Sequence, residues 1–303
     1  MSLLQIILLP IHVLESLLSF YFNFYIVVFH VRRLRNGMKL NPSSLLQLVM
    51  GATNISMRGT MLGSLISSWF PTYHDIRLFY IFIFIVPYHL QFSYWLIAWL
   101  CTYYFTTITN IRHQIFIWMK RTLNSFLPHL LFLSAVVSLI LPVQSVWSIH
   151  IQISDDNSTL SSILPKFHLS KPDSIVLLII CLCSFLPFLV TLGSLVVTMS
   201  SLFIHIWKVK KNDSGFAPPN LQAHVSAVRT MISFLLLSVL VNVAEIVKTA
   251  ATGLLCQSFQ LIIFLTVTAF ALAEAAIIIQ SSRKLKKAFP QMFCVGRFMG
   301  GQN

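Results

Sequence analysis

Charge is what this sequence has least of. Only 10% of its 303 residues are charged, and acidic residues are scarcest: 8 Asp+Glu stand against 21 Lys+Arg, a formal net charge of +13. A soluble domain carries about a quarter charged residues. At 56% hydrophobic residues and a mean hydropathy of +0.80, the chain has too little polar surface to cover a water-soluble fold. The two soluble domains that its length suggests are excluded with it. Catalytic motifs are missing too: there is no H-E-x-x-H, no P-loop and no nucleophile elbow. The ten histidines are scattered, none paired with a cysteine or carboxylate at ligand spacing, so neither an enzyme nor a metal or cofactor site is expected. No repeat of about 20–50 residues points to a solenoid.

What the sequence has is long apolar runs. A bilayer-spanning helix needs roughly 20 mostly apolar residues. Seven stretches qualify, at about 4–31, 44–69, 79–109, 122–147, 174–207, 226–250 and 258–281. The alternating ten-residue pattern of a membrane barrel is absent. The first run opens near Met1 and ends in Arg32-Arg33, so it reads as a retained helix rather than a signal peptide. The expected architecture is an all-α seven-helix transmembrane bundle spanning the chain, with a short basic tail at 282–303.

The positive charges orient this bundle. Arg32, Arg33, Arg35 and Lys39 follow span 1, and Arg112, Lys120 and Arg121 follow span 3. Lys208, Lys210, Lys211 and Arg229 lie between spans 5 and 6, while Arg283, Lys284, Lys286, Lys287 and Arg297 occupy the tail. Most of the 21 basic residues thus fall on one side, which the positive-inside rule makes cytoplasmic. The N-terminus is then outside and the C-terminus inside. This one-sidedness argues against nucleic acid as the partner and for membrane lipid. The sequon Asn157-Ser158-Thr159 falls in the outer loop between spans 4 and 5, where glycosylation is expected. Of the five cysteines, Cys101, Cys181 and Cys183 are inside spans and Cys294 is in the tail; only Cys256 lies near an outer loop, which excludes a disulfide framework.

Ionisable groups inside lipid are costly and mark function or mutual pairing. Glu15, Arg58, Glu245 and Glu274 qualify; Glu245 and Lys248, three apart, either pair locally or line a cavity. In span 3, Gln91, Trp95 and Trp99 recur every four residues and share one face. That face is either core or the wall of a pocket. Pro187 in mid-span 5 has no N–H for the carbonyl of Cys183 and should kink the helix there. After span 7, Leu285, Ala288 and Phe289 share a face of a short basic helix suited to the anionic inner leaflet or to a cytoplasmic partner.

Seven spans with a basic cytoplasmic face describe a G-protein-coupled receptor, although span 3 ends Thr109-Asn110-Ile111-Arg112-His113 rather than in an acidic-Arg-Tyr triplet. The sequence resembles the type 2 (bitter) taste receptor family. Its H-x-K-A-L-K-T at the start of span 6, followed by S-F-L, is similar to His224-Val225-Ser226-Ala227-Val228-Arg229-Thr230 and then Ser233-Phe234-Leu235. Its N-H-F-S-x-W resembles Leu90-Gln91-Phe92-Ser93-Tyr94-Trp95, and its F-L-W-L-K resembles Phe116-Ile117-Trp118-Met119-Lys120. The family's span 3 Lys is Thr107 here, its H-S in span 7 is Glu274-Ala275 and the preceding Pro is Ala271, which marks a divergent member. The resemblance implies a pocket for small bitter agonists at Gln91, Trp95, Trp99, Glu245, Lys248 and Gln260. It also implies a gustducin-like heterotrimeric G protein docking at Arg112, His113, Lys208, Lys210, Lys211, His224, Arg229, Arg283 and Lys284. Homo- or hetero-oligomers are left open. The rival readings are a type 1 vomeronasal receptor, which lacks the span 6 motif, and a transporter, which predicts inverted repeats.

Overall fold

A computed structural model describes residues 3–69, 76–109, 114–140, 142–143, 149–151, 167–169, 174–211, 221–250 and 257–293. Among the described residues there are seven long helices: α1 (Leu3–Arg35), α2 (Pro42–Trp69), α3 (Ile76–Ile108), α4 (Gln114–Val137), α5 (Ser174–Lys211), α6 (Leu221–Ala250) and α7 (Gln257–Ser281). A short α8 (Arg283–Phe293) follows. Two three-residue strands, β1 (Ile149–Ile151) and β2 (Phe167–Leu169), pair antiparallel with His150 opposite His168. An all-helical reading misses this ribbon, because three residues are too few to show a period of two.

Local chemistry sets the helix ends. Gly37, at φ 74°, closes α1: Met38 N–H donates to Arg33 O at 3.1 Å and Gly37 N–H to Leu34 O at 3.0 Å. This paired reversal needs the left-handed conformation that glycine adopts without a Cβ clash. Pro42 then occupies the first position of α2, where a missing N–H costs nothing.

Burial runs opposite to that of a soluble protein. Leu14, Leu17, Phe24, Phe132, Leu182, Leu236 and Leu240 are exposed, while Ser16, Ser19, Asn23, Asn54, Arg58 and Glu274 are buried. Apolar side chains facing outward and polar ones inward is the arrangement for lipid surroundings. α3 sits at the centre, packed against α2, α4, α5 and α6, and α7 closes the ring between α6 and α1. Leu96, Ile97 and Leu100 of α3 join Met231 and Phe234 of α6 and Phe270 of α7 in the core.

The intramembrane charges of α1 and α2 find each other. Arg58 Nη2 donates to Glu15 Oε1 at 2.5 Å and also to the carbonyl of Thr268 on α7. Arg58 Nε reaches Ser19 Oγ at 3.2 Å, and Thr268 Oγ1 donates to Glu15 Oε2 at 3.2 Å. One ion pair therefore ties three helices, with further bonds to hydroxyls and a carbonyl, while the buried Arg58 Nη1 has no partner among the described residues.

α8 turns off α7 by 101°. Its apolar face is spent on protein rather than laid on the inner leaflet as the sequence suggests. Leu285 is fully buried, its carbonyl accepts Tyr25 Oη–H at 2.7 Å, and Phe289 meets the Tyr25 and Phe22 rings edge-on at 5.0 and 5.7 Å. Arg283, Lys284, Lys286 and Lys287 are exposed.

Arg58→Met should strand the Glu15 carboxylate and cost about 3–5 kcal/mol, the usual penalty for breaking a buried pair from one side. In thermal melts of the purified chain, Glu15→Leu/Arg58→Met should recover most of that loss. Equal damage in the double variant would show that the pair's partners are not each other.

Candidate ligand pocket around the middle of α3

Gln91 is buried because it completes a broken helix. Pro187 supplies no N–H for the Cys183 carbonyl, and Gln91 Nε2 donates to that oxygen at 2.7 Å. Thr102 Oγ1 meets Ser194 Oγ at 3.2 Å farther along, so α3 and α5 are joined by polar bonds at two levels. Trp95 stacks on Trp99 with ring centroids 5.9 Å apart and planes at 23°. Trp99 Nε1 donates to Ser134 Oγ at 2.8 Å, and the Ser134 hydroxyl in turn donates to Leu130 O at 2.7 Å. The tryptophan stack is thus anchored to α4.

The α3 side chain turned toward α6 and α7 is Tyr94. Its ring meets Phe270 of α7 edge-on at 5.7 Å, and the Glu245 carboxylate of α6 is within electrostatic range of its phenol. Four polar atoms in this stretch are buried without a hydrogen-bond partner among the described residues: Gln91 Oε1, Ser93 Oγ, Tyr94 Oη and Trp95 Nε1. Each such atom costs about 1–3 kcal/mol until something bonds it. One helix segment that leaves donors and acceptors in reserve amid aromatic rings can take up an apolar molecule with a few polar groups.

Of the residues expected at the pocket, Gln91, Trp95, Trp99 and Glu245 are described. Lys248 lies on α6 and Gln260 on α7, with their side chains outside the described set. The pairing of Glu245 with Lys248 falls outside it as well. Tyr94 and Ser134 were not legible as site residues. Tyr94 falls off the four-residue Trp repeat, and Ser134 had no marking beyond its hydroxyl. On the basic side, Arg229, Arg283 and Lys284 are exposed. Lys208, Lys210, Lys211 and His224 lie on α5 and α6 with side chains outside the described set, and Arg112, His113 and the sequon Asn157 lie outside the described residues.

The departures from the family pattern have definite places. Thr107 is exposed and bonds Tyr103 O of its own helix at 2.8 Å. Ala271 is buried, and its carbonyl accepts Asn23 Nδ2–H at 3.3 Å. Glu274 is fully buried and accepts Asn54 Nδ2–H at 3.0 Å.

The fold is that of squid rhodopsin, with a TM-score of 0.62 over 96% of this chain and 85% of that one, at 10% identity. Together with the inside-out burial, this places the chain in the class of multi-pass, seven-helix membrane bundles with the rhodopsin fold. More narrowly, the chain matches the Taste receptor protein (TAS2R) family over residues 1–297 and belongs to it. It is 30% identical to taste receptor type 2 member 9 of Macaca mulatta, over 69% of this chain and 66% of that protein. It is 23% identical to member 40 of Gallus gallus, over 72% and 71%, and 25% identical to member 4 of Gorilla gorilla gorilla, over 90% and 91%. The alignment to the macaque protein stops just short of two thirds of its length.

Removing the Trp99 bond by Ser134→Ala or Trp99→Phe should cost about 1 kcal/mol each. Because both changes delete one interaction, the double variant should lose clearly less than the sum in thermal melts. Strict additivity would mean that the two side chains do not hold each other.

Proposed function

We propose that this chain is a receptor for small bitter-tasting molecules, which bind beside the middle of α3 and shift the helices to activate a heterotrimeric G protein. The observation that carries the reading is the set of buried, unspent polar atoms at Gln91, Ser93, Tyr94 and Trp95, inside a chain of the taste receptor family. A ligand of mixed character gains from aromatic burial and from bonding atoms that otherwise sit unsatisfied. Differential affinity of about 1–3 kcal/mol between two helix arrangements is enough to signal. The basic side of the bundle is the docking face, with the N-terminus outside and Asn157 glycosylated.

Cells expressing the chain with a promiscuous G protein should release calcium in response to members of a panel of bitter compounds. Tyr94→Phe, which removes one hydroxyl from the pocket, should raise the half-maximal concentration of some agonists by about five- to tenfold without lowering surface expression. Silence across the panel at full surface expression, with a solute flux in its place, would overturn the receptor reading. For orientation, a glycosidase-sensitive mass shift should disappear in Asn157→Gln; its disappearance in Asn212→Gln instead would invert the topology.

A further inference from the structure

The polar cluster one turn inward from the Arg58 ion pair has an unbalanced charge. Its bonding order follows from Asn23, whose Nδ2 donates to Ser19 O at 2.8 Å and Ala271 O at 3.3 Å. The Asn23 Oδ1 must then accept, and it does so from Asn54 Nδ2 at 3.0 Å. The same Asn54 nitrogen donates its second proton to Glu274 Oε2 at 3.0 Å. Both Asn54 N–H groups are spent, so Asn54 Oδ1 is left as an acceptor. Asn54 Oδ1 and Glu274 Oε1 are both buried, and neither has a partner among the described residues. These oxygens belong to two groups already in contact.

Among the described residues, nothing on the neighbouring helices balances the Glu274 carboxylate. On α1 and α2, Glu15 and Arg58 bond each other, with His12 Nδ1 3.9 Å from Glu15 Oε2. On α6, Glu245 acts on Tyr94 and Arg229 is exposed. The four basic side chains of α8 are exposed. Glu15 and Arg58 cancel, which leaves the Glu274 carboxylate uncompensated beside the Asn54 acceptor oxygen. Such a charge is prohibitive in a dry interior unless a positive charge joins it. Among the described residues there is no group of three His, Cys, Asp or Glu to hold a divalent or transition metal. One carboxylate with neutral oxygens around it balances a single positive charge.

We infer that Glu274 and Asn54 bind one exchangeable positive charge, a proton or a sodium ion, at mid-bundle, and that this charge secures α7 to α1 and α2. A proton on Oε1 neutralises the carboxylate and turns that oxygen into a donor. A sodium ion takes Glu274 Oε1 and Asn54 Oδ1 as oxygen ligands. Either one removes the net charge at the carboxylate. The site lies on α1, α2 and α7, not on the tryptophan stack of α3, and does not depend on what the receptor recognises.

The test is the thermal stability of the purified full-length chain, with sodium exchanged for N-methylglucamine at constant ionic strength and with pH varied at constant sodium. Stabilisation by a bound ion grows with its concentration, so wild type should gain about 2–4 °C or more along one of the two axes. Glu274→Gln should be flat on that axis. A sodium response at fixed pH identifies sodium. A pH response alone, or a carboxylic-acid C=O band in the infrared spectrum of wild type that Glu274→Gln lacks, identifies the proton. If Glu274→Gln does not fold, Glu274→Asp retains the charge on a shorter stem and should keep the response with its midpoint moved by at least about threefold. Responses equal in wild type and variant overturn the inference. So does a wild type that responds on neither axis and shows no acid band assignable to Glu274.

Discussion

The bundle is organised around a ladder of polar side chains shared by α1, α2 and α7. Glu15, Ser19 and Asn23 recur every four residues on α1 and so stack along one face. Asn54 and Arg58 stand one turn apart on α2, and Thr268, Ala271 and Glu274 follow three apart on α7. Each rung joins residues at matching depth: Arg58 with Glu15 and Thr268, then Asn54 with Asn23 and Glu274. Helices already in lipid gain nothing further from burying apolar area, so specific bonds and close packing have to hold them together. Gly51 allows the approach. A Cβ there would lie 3.1 Å from Val27 Cγ2 and 3.3 Å from Asn23 O, so α1 and α2 meet closely one turn from Asn54 because residue 51 has no side chain.

α3 is held by different means. It has no ion pair to its neighbours among the described residues; instead it carries an amide on α5's free carbonyl, a hydroxyl pair with Ser194 and an indole on Ser134. These are neutral bonds, each worth about 0.5–1.5 kcal/mol net, against several for one side of a buried ion pair. The same helix leaves four polar atoms unspent. A central element with modest bonds and spare bonding capacity is where an incoming molecule changes the balance at least cost.

How far the sequence reveals this depends on the range of each interaction. Helix number and position follow from apolar run length, a local property: the helix bounds lie within about five residues of the runs except at α4, which covers Gln114–Val137 against a run of 122–147. The partner of the Cys183 carbonyl was half legible: Pro187 announces the missing donor, but only the fold says that Gln91 supplies it. The pairing of Arg58 with Glu15 spans 43 positions and requires the rotation of two helices about their axes, which hydropathy does not encode. For the same reason the four-residue repeat of Gln91, Trp95 and Trp99 identified a shared face but not its neighbour. That neighbour is α4 for the tryptophans, while Tyr94 looks toward α6 and α7. The apolar face of α8 was recognised, yet its destination was not, because the aromatic cluster that receives Phe289 is contributed by Phe22 and Tyr25 at the other end of the chain.

The two bonding regimes bear on how a change of shape is partitioned. A ligand shifts an equilibrium only by the difference in its affinity for the two states, typically 1–3 kcal/mol for coupled sites. Opening the α1–α2–α7 ladder would expose Arg58 and Glu15 to an unpaired interior, a penalty beyond that allowance. Exchanging the Gln91 or Thr102 bonds for bonds to a ligand or to a shifted α5 falls within it. α8 travels with the rigid part, because Tyr25 of α1 holds Leu285 and the Phe289 ring packs on the same helix. The seam of α3 with α5 is therefore cheaper to change than the ladder of α1, α2 and α7. α5, on that cheaper seam, carries Lys208, Lys210 and Lys211, and α6 beside it carries Arg229.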